Sequence, residues 1–87
     1  MYEIIFDEKA IEFLNKTEYK IKKRIFEKSI STKEKPFRYF ERLAKRDEYK
    51  LRVGNYRVIV DIDKNSKKIK ILLIGQRKNI YKKYMMK

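Results

Sequence analysis

The spacing of apolar positions changes character once along the chain. In the first half it is helical. Ala10, Ile11 and Leu14 recur at the interval of an amphipathic helix, and Asp7 ahead of them is a fair N-cap. Ile21, Ile25 and Phe26 form a second apolar stripe. Lys20, Lys22, Lys23, Glu27 and Lys28 give it a polar face, so a second helix is expected from Glu18 to about Ser31. The short Asn15-Lys16-Thr17 link makes the two helices an antiparallel pair. Before them, Tyr2 to Phe6 alternates weakly and predicts a first strand. Pro36 is expected to close off the second helix, with Phe37, Phe40 and Leu43 pinning the connector onto the core.

After Asp47 the period becomes two. Tyr49-Lys50-Leu51-Arg52-Val53 alternates, and so does Tyr56-Arg57-Val58 with Val60 and Ile62. Gly54-Asn55 between them suits a two-residue turn with positive φ, which makes a hairpin. Asp63 to Lys67 is a polar turn. Lys68 to Gly75 is a last strand, apolar on both faces from Ile71 onward and therefore expected in the sheet interior. Gln76 to Lys87 predicts a short basic terminal helix. The order is β-α-α-β-β-β plus that helix. It describes one α+β domain over residues 1–87, with two antiparallel helices packed on a small, mainly antiparallel sheet.

The turn also fixes register. Val53 should face Tyr56, Arg52 should face Arg57, Leu51 should face Val58 and Lys50 should face Ile59. Tyr49, Leu51, Val53, Tyr56, Val58 and Val60 then share the core side, and Lys50, Arg52 and Arg57 share the other. Like charges directly opposed across a strand pair reduce stability. A hairpin selected for stability alone would carry an acid opposite Arg52. Three cations on rigid strands are instead suited to holding an anion.

Charge strengthens that expectation. The chain carries 25 Lys or Arg against 12 Asp or Glu, a net charge of +13. Residues 1–48 hold 13 basic and 10 acidic side chains, whereas residues 49–87 hold 12 basic and only Asp61 and Asp63. Abundant Lys, Glu and Ile with a single Gln, Gln76, also resemble a thermophile's surface, but an ion-pair network needs both signs and the second half lacks one. A polyanionic partner is the better explanation. There is no Cys and no His. Disulfides, thiolate metal sites and imidazole acid–base chemistry are thereby excluded, and no cofactor or metal is expected. The longest apolar run, Ile71-Leu72-Leu73-Ile74, is far too short to span a bilayer, and Met1-Tyr2-Glu3-Ile4 does not open a signal peptide. A cytoplasmic protein is expected. After the last strand comes Gly75-Gln76-Arg77-Lys78-Asn79-Ile80-Tyr81. If residues 77–84 are helical, Arg77 and Tyr81 share a face, one suited to a phosphate and the other to a base.

Together the hairpin Tyr49-Lys50-Leu51-Arg52-Val53-Gly54-Asn55-Tyr56-Arg57-Val58, the Ile- and Leu-rich strand after it and the Gly75-Gln76-Arg77…Tyr81 tail resemble the RelE/ParE superfamily of toxins from type II toxin–antitoxin systems. The likeness runs over the whole chain, although the first 40 residues match only in pattern. RelE-like members cut messenger RNA in the ribosomal A site. ParE-like members use a similar fold to inhibit DNA gyrase and lack the catalytic basic set. The resemblance to the RelE branch implies a metal-independent, ribosome-dependent endoribonuclease. It puts Lys50 at the position of the proposed general base and Arg52 at a neighbouring charge-stabilising position. Arg57 matches the phosphate-binding Arg. Arg77 matches the Arg that protonates the leaving group or stabilises its charge, and Tyr81 the tail Tyr that orients or stacks on the substrate. Lys78, Lys82 and Tyr84 would add RNA contacts, and Tyr84 is an alternative to Tyr81. The chain departs in having Arg rather than Lys at position 52, a shorter Arg77–Tyr81 spacing, and no His near the tail. The implied partners are ribosome, messenger RNA and a RelB-like antitoxin. A ParE-like gyrase inhibitor and a non-catalytic RNA- or ribosome-binding module are the alternatives.

Overall fold

A computed structural model describes residues 1–80 and Lys82. The elements are β1 (Glu3–Phe6), α1 (Glu8–Lys16), α2 (Tyr19–Ser31), α3 (Pro36–Tyr39), β2 (Glu41–Arg42), β3 (Tyr49–Val53), β4 (Tyr56–Asp63), β5 (Lys68–Gln76) and α4 (Arg77–Ile80). The strands form one sheet in the order β1-β5-β4-β3-β2. β1 runs parallel to β5, and the other neighbours are antiparallel. The expected α+β architecture is present.

The expected local signals place most elements. The Asp7 carboxylate accepts from the Lys9 N–H at 3.4 Å and caps α1. α1 runs through Lys16, so the link to α2 is shorter than Asn15-Lys16-Thr17. It ends where the Thr17 hydroxyl donates back to the Phe13 carbonyl at 2.7 Å. Pro36 acts differently from expectation. α2 already ends at Thr32, whose hydroxyl donates to the Ser29 carbonyl at 2.7 Å, and Pro36 opens α3. The reason is that proline's fixed φ and missing N–H suit a helix's first position. Of the three connector anchors, Phe40 and Leu43 are buried, whereas Phe37 stays partly exposed against Tyr2 and Tyr49. The connector also contributes the edge strand β2, too short to show any periodicity.

β5 lies between β1 and β4, an interior place that accounts for its apolar run. Its pairing with β4 steps from Ile59–Leu73 to Val60–Ile71, leaving Leu72 as an extra residue. In a regular strand Ile71 and Ile74 would face opposite ways. The bulge turns both toward the helices, where they join Ala10, Leu14, Ile25, Leu51, Val58 and Ile69 in the main core. A second cluster covers the opposite face: Ile59 beneath Leu43 and Ile80, with Leu73 against them. The sheet therefore has helices on one face. On the other it has a partly covered surface, flanked by the β2–β3 loop and the start of α4.

Candidate active site

The hairpin has the register expected of it. Val53 pairs with Tyr56, Arg52 with Arg57, Leu51 with Val58 and Lys50 with Ile59. Gly54 supplies the positive φ, at 58°, in the first central position of the turn, the pattern of a type II′ hairpin. Leu51, Val53, Val58 and Val60 enter the main core. Lys50, Arg52 and Arg57 consequently stand on the face of the second cluster.

The three cations differ in environment. Arg52 is exposed. Lys50 is half-buried, and register places Glu41 of β2 across from it, with Glu41 Oε2 3.9 Å from Lys50 Nζ. An acid does therefore face the basic set, opposite Lys50 rather than Arg52. Arg57 is only 5% exposed, although a phosphate-binding Arg on an open sheet face would be expected in solvent. One of its terminal nitrogens, Nη1, donates to the carbonyls of Gly54 and Tyr56, both at 2.8 Å. Those two dipoles replace water around the buried charge and lock the guanidinium against the turn. They also reduce the penalty of opposing Arg52, because Arg57 is held by carbonyls while Arg52 remains in solvent.

Arg77 joins the same turn through its backbone. Its N–H donates to the Asn55 carbonyl at 2.7 Å, and Ile80, one turn later, is buried against Ile59 and Leu43. The tail is thus anchored at both ends of α4, with the exposed side chains of Arg77 and Lys78 beside the hairpin. Asn55, Tyr56, Gln76, Arg77 and Lys78 line a hollow of about 390 Å³ there. Lys82 is exposed. Tyr81 and Tyr84 lie outside the described residues. Among the described residues no three acidic side chains converge where a metal ion could sit.

The turn Gly54-Asn55 is accordingly a hub. It holds Arg57 by its side chain and Arg77 by its main chain, and two strands bring Lys50 and Arg52 alongside. A rigid set of cations with one flanking carboxylate can bind a phosphodiester and stabilise charge developing on it. Sequence reasoning missed Glu41, because a two-residue strand carries no pattern from which its register can be read.

A five-stranded sheet with β1 parallel to β5, two helices on one face and a basic hairpin on the other defines a RelE-like toxin fold. A chain of the RelBE2 toxin–antitoxin complex from Mycobacterium tuberculosis matches with a TM-score of 0.81 at 24% identity, over 87% of this chain and 98% of that one. A chain of the archaeal RelE–RelB complex from Pyrococcus horikoshii OT3 matches with a TM-score of 0.72 at 23% identity, over 87% and 94%. The isolated E. coli RelE toxin matches with a TM-score of 0.75 at 19% identity, over 99% and 97%. A search of curated proteins found no match. The family described as the ParE toxin of the type II toxin–antitoxin system parDE matches residues 4–81. The chain belongs to that toxin family.

Proposed function

We propose that this toxin is a ribosome-dependent endoribonuclease that cuts messenger RNA in the ribosomal A site and so inhibits translation. One observation supports it above the others: Lys50, Arg52 and Arg57 share a sheet face, and the turn that fixes Arg57 also fixes the start of the helix bearing Arg77.

The chemistry is transesterification. The 2′-hydroxyl gives its proton to the neutral amine form of the Lys50 side chain, and its oxygen attacks the adjacent phosphorus. Arg57 and Arg52 offset the charge gathering on the phosphorane, and Arg77 stabilises the departing 5′-oxygen. The bond to the 5′-oxygen breaks, that oxygen takes a proton from water to become the 5′-hydroxyl of the downstream product, and the upstream product ends in a 2′,3′-cyclic phosphate. Such a simple set gains most of its rate from substrate placement, which the ribosome provides. The strongly basic second half of the chain would contact RNA backbone with steep salt dependence. A RelB-like antitoxin is the proposed restraint, in keeping with the toxin–antitoxin complexes among the similar structures.

The family's ParE description favours a second reading, gyrase inhibition without nuclease chemistry. The basic set argues against it. Expression in cells, with messenger RNA ends mapped and plasmid supercoiling followed in parallel, separates the two. Codon-phased cuts within translated regions support the nuclease. Intact messengers with inhibited supercoiling overturn it.

A further inference from the structure

The cations of the hairpin face do not end at Arg52. β2 pairs only with Tyr49 and Lys50, so the edge of β3 is uncovered at Arg52 and Val53. Past that edge lies α2, whose exposed Arg24 and Lys28 are one helical turn apart and point the same way. Together with Arg52, Gly54 and Glu27 they line a cleft of about 450 Å³. Arg24 lies directly over the hairpin turn. A Cβ placed on Gly54 would stand 2.9 Å from its Nη1. The acid lining the cleft, Glu27, is 3.9 Å from Lys23 on the solvent side of the helix. Lys28 Nζ stands 5.3 Å over the ring of Tyr39, itself partly exposed.

We infer that this cleft binds the phosphodiester backbone of single-stranded RNA, continuing the path of the strand whose scissile phosphate lies at Lys50 and Arg57. Arg52 is the junction, since it belongs to both surfaces. A cation beside an exposed aromatic ring suits a nucleotide, with the phosphate on the charge and the base near the ring. An acidic peptide would use the cations and leave Tyr39 without a role. The inference rests on the proposed nuclease reading for the identity of the strand, and on the cleft's own residues for the binding.

Fluorescence anisotropy with a labelled 12-nucleotide single-stranded RNA and a trinucleotide tests it on the full chain. Arg24→Ala with Lys28→Ala should weaken 12-mer binding about tenfold at low salt. The log–log salt slope should fall by about 0.7 for each phosphate no longer neutralised. Trinucleotide binding should stay within about twofold. Lys9→Ala with Lys16→Ala removes equal charge from α1 and should do much less. All four residues are exposed, so the variants should fold. Equal losses from both double variants, an unchanged 12-mer slope, or loss of binding only to polyglutamate overturns the track. Cleavage of messenger RNA by wild-type protein on translating ribosomes is scored separately. Its absence counts against the nuclease reading, while an unchanged 12-mer slope alongside intact cleavage counts against the cleft alone.

Discussion

One strand, β4, carries two opposite charge arrangements on the same face. At its far end Asp61 stands across from Lys70 and Asp63 across from Lys68. At the hairpin end Arg57 stands across from Arg52. Facing opposite charges contribute a few tenths to about 1 kcal/mol, and facing like charges cost a similar amount. The far end is arranged as stability favours. The hairpin end departs from that, and does so beside Lys50 and at the turn to which Arg77 is tied. Strand and face are shared, and at the hairpin end the Gly54 and Tyr56 carbonyls offset only part of the penalty by accepting from Arg57. The proposed anion site would account for the rest.

The largest effect is expected at Arg57. Arg57→Ala should lower cleavage about 10²–10³-fold, as removal of a preorganised charge stabiliser does. It should also destabilise the fold by about 1–3 kcal/mol, because the Gly54 and Tyr56 carbonyls lose their donor. Cleavage kinetics at a temperature well below the variant's melting point separate the two effects. The turn gives a smaller change. Gly54→Ala places a side chain at φ 58° and against Arg24, and denaturant unfolding should show about 1–2 kcal/mol lost.

Arg52→Glu sharpens the contrast. It gives the hairpin end the far end's arrangement. Its melting temperature should rise by about 2–4 °C while cleavage is lost. A variant that melts lower would show that the Arg pair is no burden to the fold.

The smallest effect lies at the far end. The Ser66 hydroxyl, the N–H groups of Ser66 and Asn65, and Lys68 hold the Asp63 carboxyl below its ordinary value. Its contribution to stability is therefore complete above that ordinary value, about 3.9, and is lost as pH falls through the lower folded one. Asp63→Asn should melt with a slightly flatter pH dependence below about pH 4. No change in cleavage is expected, since Asp63 is remote from the basic set.

The same two ends show what the sequence could reveal. Hairpin register followed from Gly54-Asn55 and strict alternation, because a two-residue turn leaves no freedom of pairing. The helix pair followed from apolar spacing. The bulge at Leu72 was hidden, since an unbroken apolar run does not say which residue is extra. So was β2, and with it Glu41 beside Lys50. The burial of Arg57 depends on two carbonyls of the turn, and main-chain acceptors leave no mark in composition. Nothing in the sequence singled out Arg24. Its position over Gly54 arises only from how α2 packs against β3.

Product chemistry decides whether this toxin cuts messenger RNA in the ribosomal A site. Purified toxin is mixed with a defined messenger, once free and once on a ribosome with an empty A site, and the RNA ends are analysed by mass spectrometry. A cut within the A-site codon, a 2′,3′-cyclic phosphate on the upstream fragment, and little cutting of the free RNA are expected. Intact messenger on the ribosome would contradict the proposed cleavage.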